Sequence, residues 1–181
     1  MDKNTGEWMG ALQRHHDFLN QEVDPDQVAR ILEAALRTPA VHPDVGLRFV
    51  VVDERIDLMK LADAKEHDST FVAGAALCLV IVGNALRNEC WVEDGAAAAT
   101  AMWLCAQNLR LGGDWVQVRG CRLSDGTSSS EVVAGILDIP DGWEVLGFLA
   151  LGHPAHEVPM REVDALAWEN VCIGKFSGHD G

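Results

Sequence analysis

Positive charge is what this 181-residue chain has least of: 14 lysines and arginines face 28 aspartates and glutamates, a formal net charge of −14 with histidine neutral. So acidic a surface repels phosphate backbones and argues against nucleic acid as a partner. It also requires that any anionic ligand be held by a local cluster of donors. No apolar run reaches the ~20 residues of a membrane span, and the longest, around residues 71–82, falls short. The polar start Met1-Asp2-Lys3-Asn4-Thr5 has no apolar core of a secretory signal, so a cytoplasmic protein with no membrane partner is expected. The five cysteines, Cys78, Cys90, Cys105, Cys121 and Cys172, are odd in number and form no C-x-x-C pair, which excludes the usual disulfide framework. Three of them lie in apolar segments, where free cysteine packs as a small hydrophobe. The common catalytic signatures G-x-S-x-G, P-loop, H-E-x-x-H and G-x-G-x-x-G are also missing.

What is present describes a globular chain. Apolar residues make up 48% and charged residues 23%, and the length suits one domain over 1–181. Trp8, Leu12, His16 and Leu19 give Glu7–Leu19 a loose helical spacing. Asp24-Pro25-Asp26-Gln27 reads as N-cap, N1 proline and capping-box glutamine ahead of a helix that buries Val28, Ile31, Leu32 and Ala35 and stops at Thr38-Pro39. Leu47–Val52, Ala76–Val82, Asp114–Val118 and Val145–Leu151 read as strands, the second and fourth apolar on both faces as central strands are. Ile56–Ala64 and Val132–Leu137 read as short helices, and Leu123–Ser130 as a polar loop. Trp91–Leu109 is rich in alanine and apolar around nearly its whole circumference, the pattern of a helix buried in the fold or between subunits. Strands interleaved with helices predict three layers around a central sheet.

Few residues stand out chemically. His15-His16 and the turn His153-Pro154-Ala155-His156 place imidazoles close in sequence without further ligands at metal spacing, so no metal site is expected. Arg14, His15 and His16 precede the first capped helix, and Arg161 lies in the irregular C-terminal segment. These form an anion pocket only where the fold brings the two ends of the chain together. Gly112-Gly113 has two readings: a turn closing the buried helix, or a place where backbone N–H groups approach a flat ligand.

Several segments together resemble the nitroreductase family. Ile31–Ala40 followed by Arg48-Phe49-Val50-Val51-Val52 is similar to its helix–"APS"–"RFVVV" opening. Glu93-Asp94-Gly95-Ala96-Ala97-Ala98-Ala99 resembles the "DgaaA" entry to a long central helix, and Leu109–Val116 resembles "LGLGscWi". Ile136–Pro140 and Leu149–Ala155 look like "LgIP" and "iaiGhPae", and Trp168–Phe176 looks like a "wEkVh..Kf" ending. The match runs in order over about residues 12–176, leaving 177–181 as an expected flexible tail.

The resemblance implies an α+β, three-layer nitroreductase-like fold: a central mixed, mostly antiparallel sheet flanked by helices, with a long buried central helix. It implies a homodimer with FMN at the subunit interface, NAD(P)H as reductant, and a nitroaromatic, quinone or similar small molecule as electron acceptor. The flavin then carries the chemistry, no side chain is catalytic, and the protein supplies anchors and a platform. The corresponding cofactor-binding positions are Arg14, His16, Ala40, His42, Gly112, Gly113 and Arg161. The family's "RRSxR" phosphate motif becomes Leu12-Gln13-Arg14-His15-His16. Its Ser, Asn and Gln of "PSxxNxQPW" become Ala40, Pro43 and Val45, and the first glycine of "LGLG" becomes Arg110. These replacements define an alternative expectation, a scaffold that has lost flavin contacts and serves as a binding or regulatory module.

Overall fold

The computed structural model describes residues 12–39, 46–159 and 162–176. Four strands form one sheet: β1 (Leu47–Val52), β2 (Leu77–Gly83), β3 (Gly112–Gln117) and β4 (Glu144–Gly152). Their spatial order is β1-β2-β4-β3 and every neighbouring pair is antiparallel. The mixed character expected of the sheet is reduced, among the described residues, to one parallel bridge between Arg14 and Gly113 at the β3 edge.

The central strands β2 and β4 separate two apolar layers, which is why they read as continuous hydrophobic runs. Cys78, Val80 and Val82 of β2 join Phe148 and Ala150 of β4 on one face, under α2 (Arg55–Asp63) and α4 (Ser129–Ile136). Leu77, Leu79 and Ile81 join Leu149 and Leu151 on the other, under α1 (Pro25–Leu36) and α3 (Trp91–Asn108). Strict alternation breaks once. Ile81 pairs with Gly147 and Val82 with Val145, so Leu146 is the extra residue of a bulge. The bulge puts Val145 into the first layer and Leu146 into the second, and the Leu146 carbonyl accepts from both Val118 and Arg119 N–H.

Helix α1 starts as its sequence predicts, with Pro25 in the first turn and the Asp24 carboxylate accepting the Asp26 N–H at 2.8 Å. The expected capping-box role of Gln27 is not what the fold uses. Its amide instead donates to the Leu109 carbonyl at 3.1 Å, tying α1 to the end of α3. Helix α3 is anchored at its start by buried Asn88, which donates to Asp94 at 2.8 Å and accepts the Cys90 N–H at 2.9 Å. Gly95 lets it lie close to the sheet, since a Cβ there would sit 2.7 Å from Leu146. The helix is not covered all round within one chain: Trp91, Ala98, Ala99, Met102 and Ala106 are buried, whereas Glu93, Ala96, Ala97 and Thr100 face outward.

Two further expectations are corrected. Residues 12–19 of the anticipated first helix are extended, because their backbone groups pair with the ends of β3 and β4; residues 7–11 lie outside the described residues. The loop read through Ser130 ends sooner, at α4, whose Ser130 hydroxyl exchanges hydrogen bonds with the Val145 backbone at 3.0 and 3.1 Å. After β4 the chain carries two short 3-10 turns, Val163–Ala165 and Trp168–Asn170, and leaves Trp168, Val171, Ile173 and Phe176 exposed. The expected tail, 177–181, lies outside the described residues.

None of the five cysteines is in a disulfide. Burial in the first layer pushes the Cys78 thiol far up from its ordinary range, and only the thiolate is a nucleophile. In the native protein a thiol reagent should therefore modify exposed Cys172 rapidly and leave Cys78 untouched until denaturant is added. Labelling of Cys78 at the rate of Cys172 in native buffer would contradict the layer assignment.

Candidate functional site

The segment after residue 12 brings the two chain ends together. Arg14 bridges Gly113, His15 N–H donates to the Gly113 carbonyl at 3.1 Å, and Leu19 N–H donates to the His153 carbonyl at 2.8 Å. Phe18 bridges Pro154, and Ala155 N–H donates to the Asp17 carbonyl at 2.9 Å. Gly112 permits this approach, and Gly113 lets β3 lie close to β4. A Cβ at Gly113 would lie 2.1 Å from the Ala150 carbonyl oxygen, and one at Gly112 would lie 2.7 Å from the His15 ring. Both glycines are strand residues of β3 rather than a turn closing α3. The left-handed position after that helix is Arg110, at φ +66°.

The result is an open cleft of about 200 Å³ lined by Arg14, His15, His16, Asp17, His156 and Val158. One carboxylate organises it. Asp114 of β3, whose side chain is only 7% exposed, accepts from His16 Nε2 at 2.8 Å and lies 3.5 Å from Arg14 Nε. Its Oδ1 also accepts the Trp115 N–H at 2.8 Å. The His16 ring stacks on Phe71 with centroids 4.1 Å apart and planes 16° from parallel. Arg14 leaves 77% of its side chain in solvent, so its outer guanidinium nitrogens face the cleft's opening. His15 is held by its own turn, with Nδ1 3.1 Å from the Gln13 carbonyl, which also accepts from Gln107.

This arrangement suits a small anion. A guanidinium and three imidazoles surround a space too small for a tricyclic ring, on a chain that otherwise repels anions. A larger groove of about 710 Å³ between α1 and β1 carries Glu22, Asp53 and Glu54 with Arg55 and has the opposite character. Among the described residues there is no group of three or more His, Cys, Asp or Glu able to hold an ion. His153 turns instead toward the Glu22 carbonyl, 3.2 Å from its Nε2.

No protein-family model matches the chain. Curated relatives do. An Archaeoglobus fulgidus protein named for NADH dehydrogenase/NAD(P)H nitroreductase is 24% identical over 150 residues, 81% of this chain and 83% of its own. The 5,6-dimethylbenzimidazole synthase of Rhodospirillum rubrum is 24% identical over 84% of this chain and 83% of its own. Among solved structures, an FMN-dependent nitroreductase from Clostridium difficile R20291 superposes with a TM-score of 0.88 at 26% identity, covering 93% of this chain and 99% of the other. The chain shares the fold of nitroreductases and is similar in sequence to proteins named as such.

Within this nitroreductase-fold chain, Arg14, His16, Gly112 and Gly113 meet at one end of β3, as just described. Ala40, His42 and Arg161 lie outside the described residues. Asp114 and Phe71 escaped the reading of the sequence, and only Asp114 left a trace there: a carboxylate inside the strand Gly-Gly-Asp-Trp-Val, where an unpaired charge is costly. Phe71 looked like any residue of an apolar run.

Arg110 gives a direct test of the α3 terminus. A non-glycine residue in the left-handed region costs ~1–2 kcal/mol, offset in part by the extra chain entropy that glycine brings to the unfolded state. Arg110→Gly should therefore stabilise the protein by about 0.5–1 kcal/mol in urea unfolding. A loss of stability would show that the Arg110 side chain holds the helix end.

Proposed function

We propose that the chain is an oxidoreductase of nitroreductase type, using NAD(P)H and FMN to reduce a nitroaromatic, quinone or similar small-molecule acceptor. The observation that carries this reading is the cleft at the β3 end, where Arg14, His15, His16 and His156 converge on an otherwise acidic protein whose relatives are named as oxidoreductases across its length. The donor set fits a phosphate terminus: Arg14 offers outward N–H groups and a charge that persists at any working pH, and His16 adds a second donor. Bound FMN would supply hydride chemistry, which no side chain here provides. The chain's own part is to anchor and to orient. Arg14 and His16 hold the phosphate end, and Arg161, Ala40 and His42 are the further candidate contacts to the cofactor. Gly112 lets the Arg14–His16 segment lie against β3, and Gly113 lets β3 lie close to β4.

The same reading takes residues 1–181 as one domain and the working unit as a homodimer. Ile173 and Phe176 are 96% and 91% exposed, and Ala96, Ala97 and Thr100 of α3 form an outward face. A second copy covers both. The names of the relatives do not favour the alternative, a scaffold without flavin.

Titrating FMN into the purified chain should give saturable binding and a yellow holoprotein. Arg14→Ala should weaken FMN by about ten- to a hundredfold, the worth of one charge-assisted hydrogen bond of ~1.5–3 kcal/mol. Absence of FMN binding at millimolar concentration would sink the oxidoreductase reading. Sedimentation should show a dimer at micromolar concentration, and a stable monomer there would remove the interface.

A further inference from the structure

The cleft that offers Arg14 and His16 to an anion already contains one. Asp114 is more than nine-tenths buried, within hydrogen-bond distance of His16 and 3.5 Å from Arg14. We infer that Asp114 is a specificity-determining residue: its carboxylate neutralises the phosphate cleft, so that the protein selects flavins by their ring system and takes riboflavin nearly as well as FMN. The inference rests on the flavin reading above for the ligand, and on the side-chain geometry alone for the cleft.

The physical argument is one of competition. Arg14 carries a fixed positive charge, and a buried carboxylate beside it cancels that charge as seen from a ligand a few ångströms further out. An arriving phosphate meets two effects of similar size, attraction to the guanidinium and repulsion from Asp114. Asp17, also lining the cleft, adds to the repulsion, while His15 and His156 are the remaining imidazoles. The position of Asp114 is not adaptable. The Trp115 N–H holds one oxygen and His16, fixed by its stack on Phe71, holds the other. The carboxylate therefore stays in place when a ligand approaches, and the phosphate gains little over a neutral ribityl hydroxyl.

Asp114→Asn tests this with almost no change of shape. The amide oxygen still accepts from Trp115 N–H, and the amide nitrogen donates to His16 Nε2 once that ring carries its proton on Nδ1, while the cleft loses one negative charge. FMN, riboflavin and inorganic phosphate are titrated into the full chain and the variant, with phosphate followed through the histidine ring resonances. In the unaltered protein the FMN and riboflavin dissociation constants should agree within about threefold, equivalent to less than ~1 kcal/mol. In Asp114→Asn, FMN and phosphate should both bind at least about tenfold more tightly, as expected for removing a unit charge from within roughly 10 Å at an effective dielectric of ~20. Riboflavin should not change. A variant with an unchanged or smaller preference for FMN, or an unchanged phosphate affinity, overturns the inference. So does an unaltered protein that prefers FMN over riboflavin by a hundredfold, and this arm decides the matter even where Asp114→Asn and the smaller Asp114→Ser both fail to fold. A tenfold gain for phosphate in a protein that binds neither flavin would uphold the role of Asp114 at the cleft and defeat the oxidoreductase reading instead.

Discussion

The backbone pairing of residues 14–19 with the ends of β3 and β4 is the constraint on which the candidate site depends. It is a short pairing, one bridge to Gly113, another to Pro154 and three backbone hydrogen bonds. Yet it converts two distant parts of the chain into one cleft. The close approach is possible because Gly112 has no Cβ where the His15 ring sits, while Gly113 lets β3 lie against the Ala150 carbonyl of β4. Without Gly112 the segment would stand off, and Arg14 and His16 would lose Asp114, the group that fixes where they point.

Behind this edge the sheet provides the rigidity. β2 and β4 are buried on both faces, and the bulge at Leu146 lets one strand feed two cores without a gap in either. Helix α3 sits on the second core through Gly95, and Gln27 clips α1 to its far end. The end of α3 thus leads into Gly112 with little freedom, despite the left-handed Arg110 between them.

Much of this was legible in the residues. Asp24-Pro25 marked the first helix, uniform apolar runs marked β2 and β4, and the ordered motifs from Ile31 to Phe176 marked the likeness to nitroreductases. What the sequence hid were cases where tertiary contacts override a local pattern. Residues 12–19 carry a helical spacing but are extended, since their N–H and carbonyl groups find partners on another strand. Gln27 has the right position for a capping box, yet a carbonyl at the end of α3 is within its reach. Gly112-Gly113 resembled a helix stop, and only the packed structure shows that the space they vacate belongs to His15 and Ala150. Phe71 was the hardest to see, because nothing local distinguishes the ring that stacks on His16 from any other residue of an apolar run, whereas Asp114 stood out only as a carboxylate in a strand.

Arg14 and Asp114 are unequally sheltered, the one 77% exposed and the other 7%, and ionic strength therefore acts on them unequally. Physiological salt screens exposed charges over about 8 Å, which blunts what the guanidinium does toward solvent. The Asp114 carboxylate, set back in β3, is screened less, so rising salt tilts the balance of the cleft from the guanidinium toward the carboxylate.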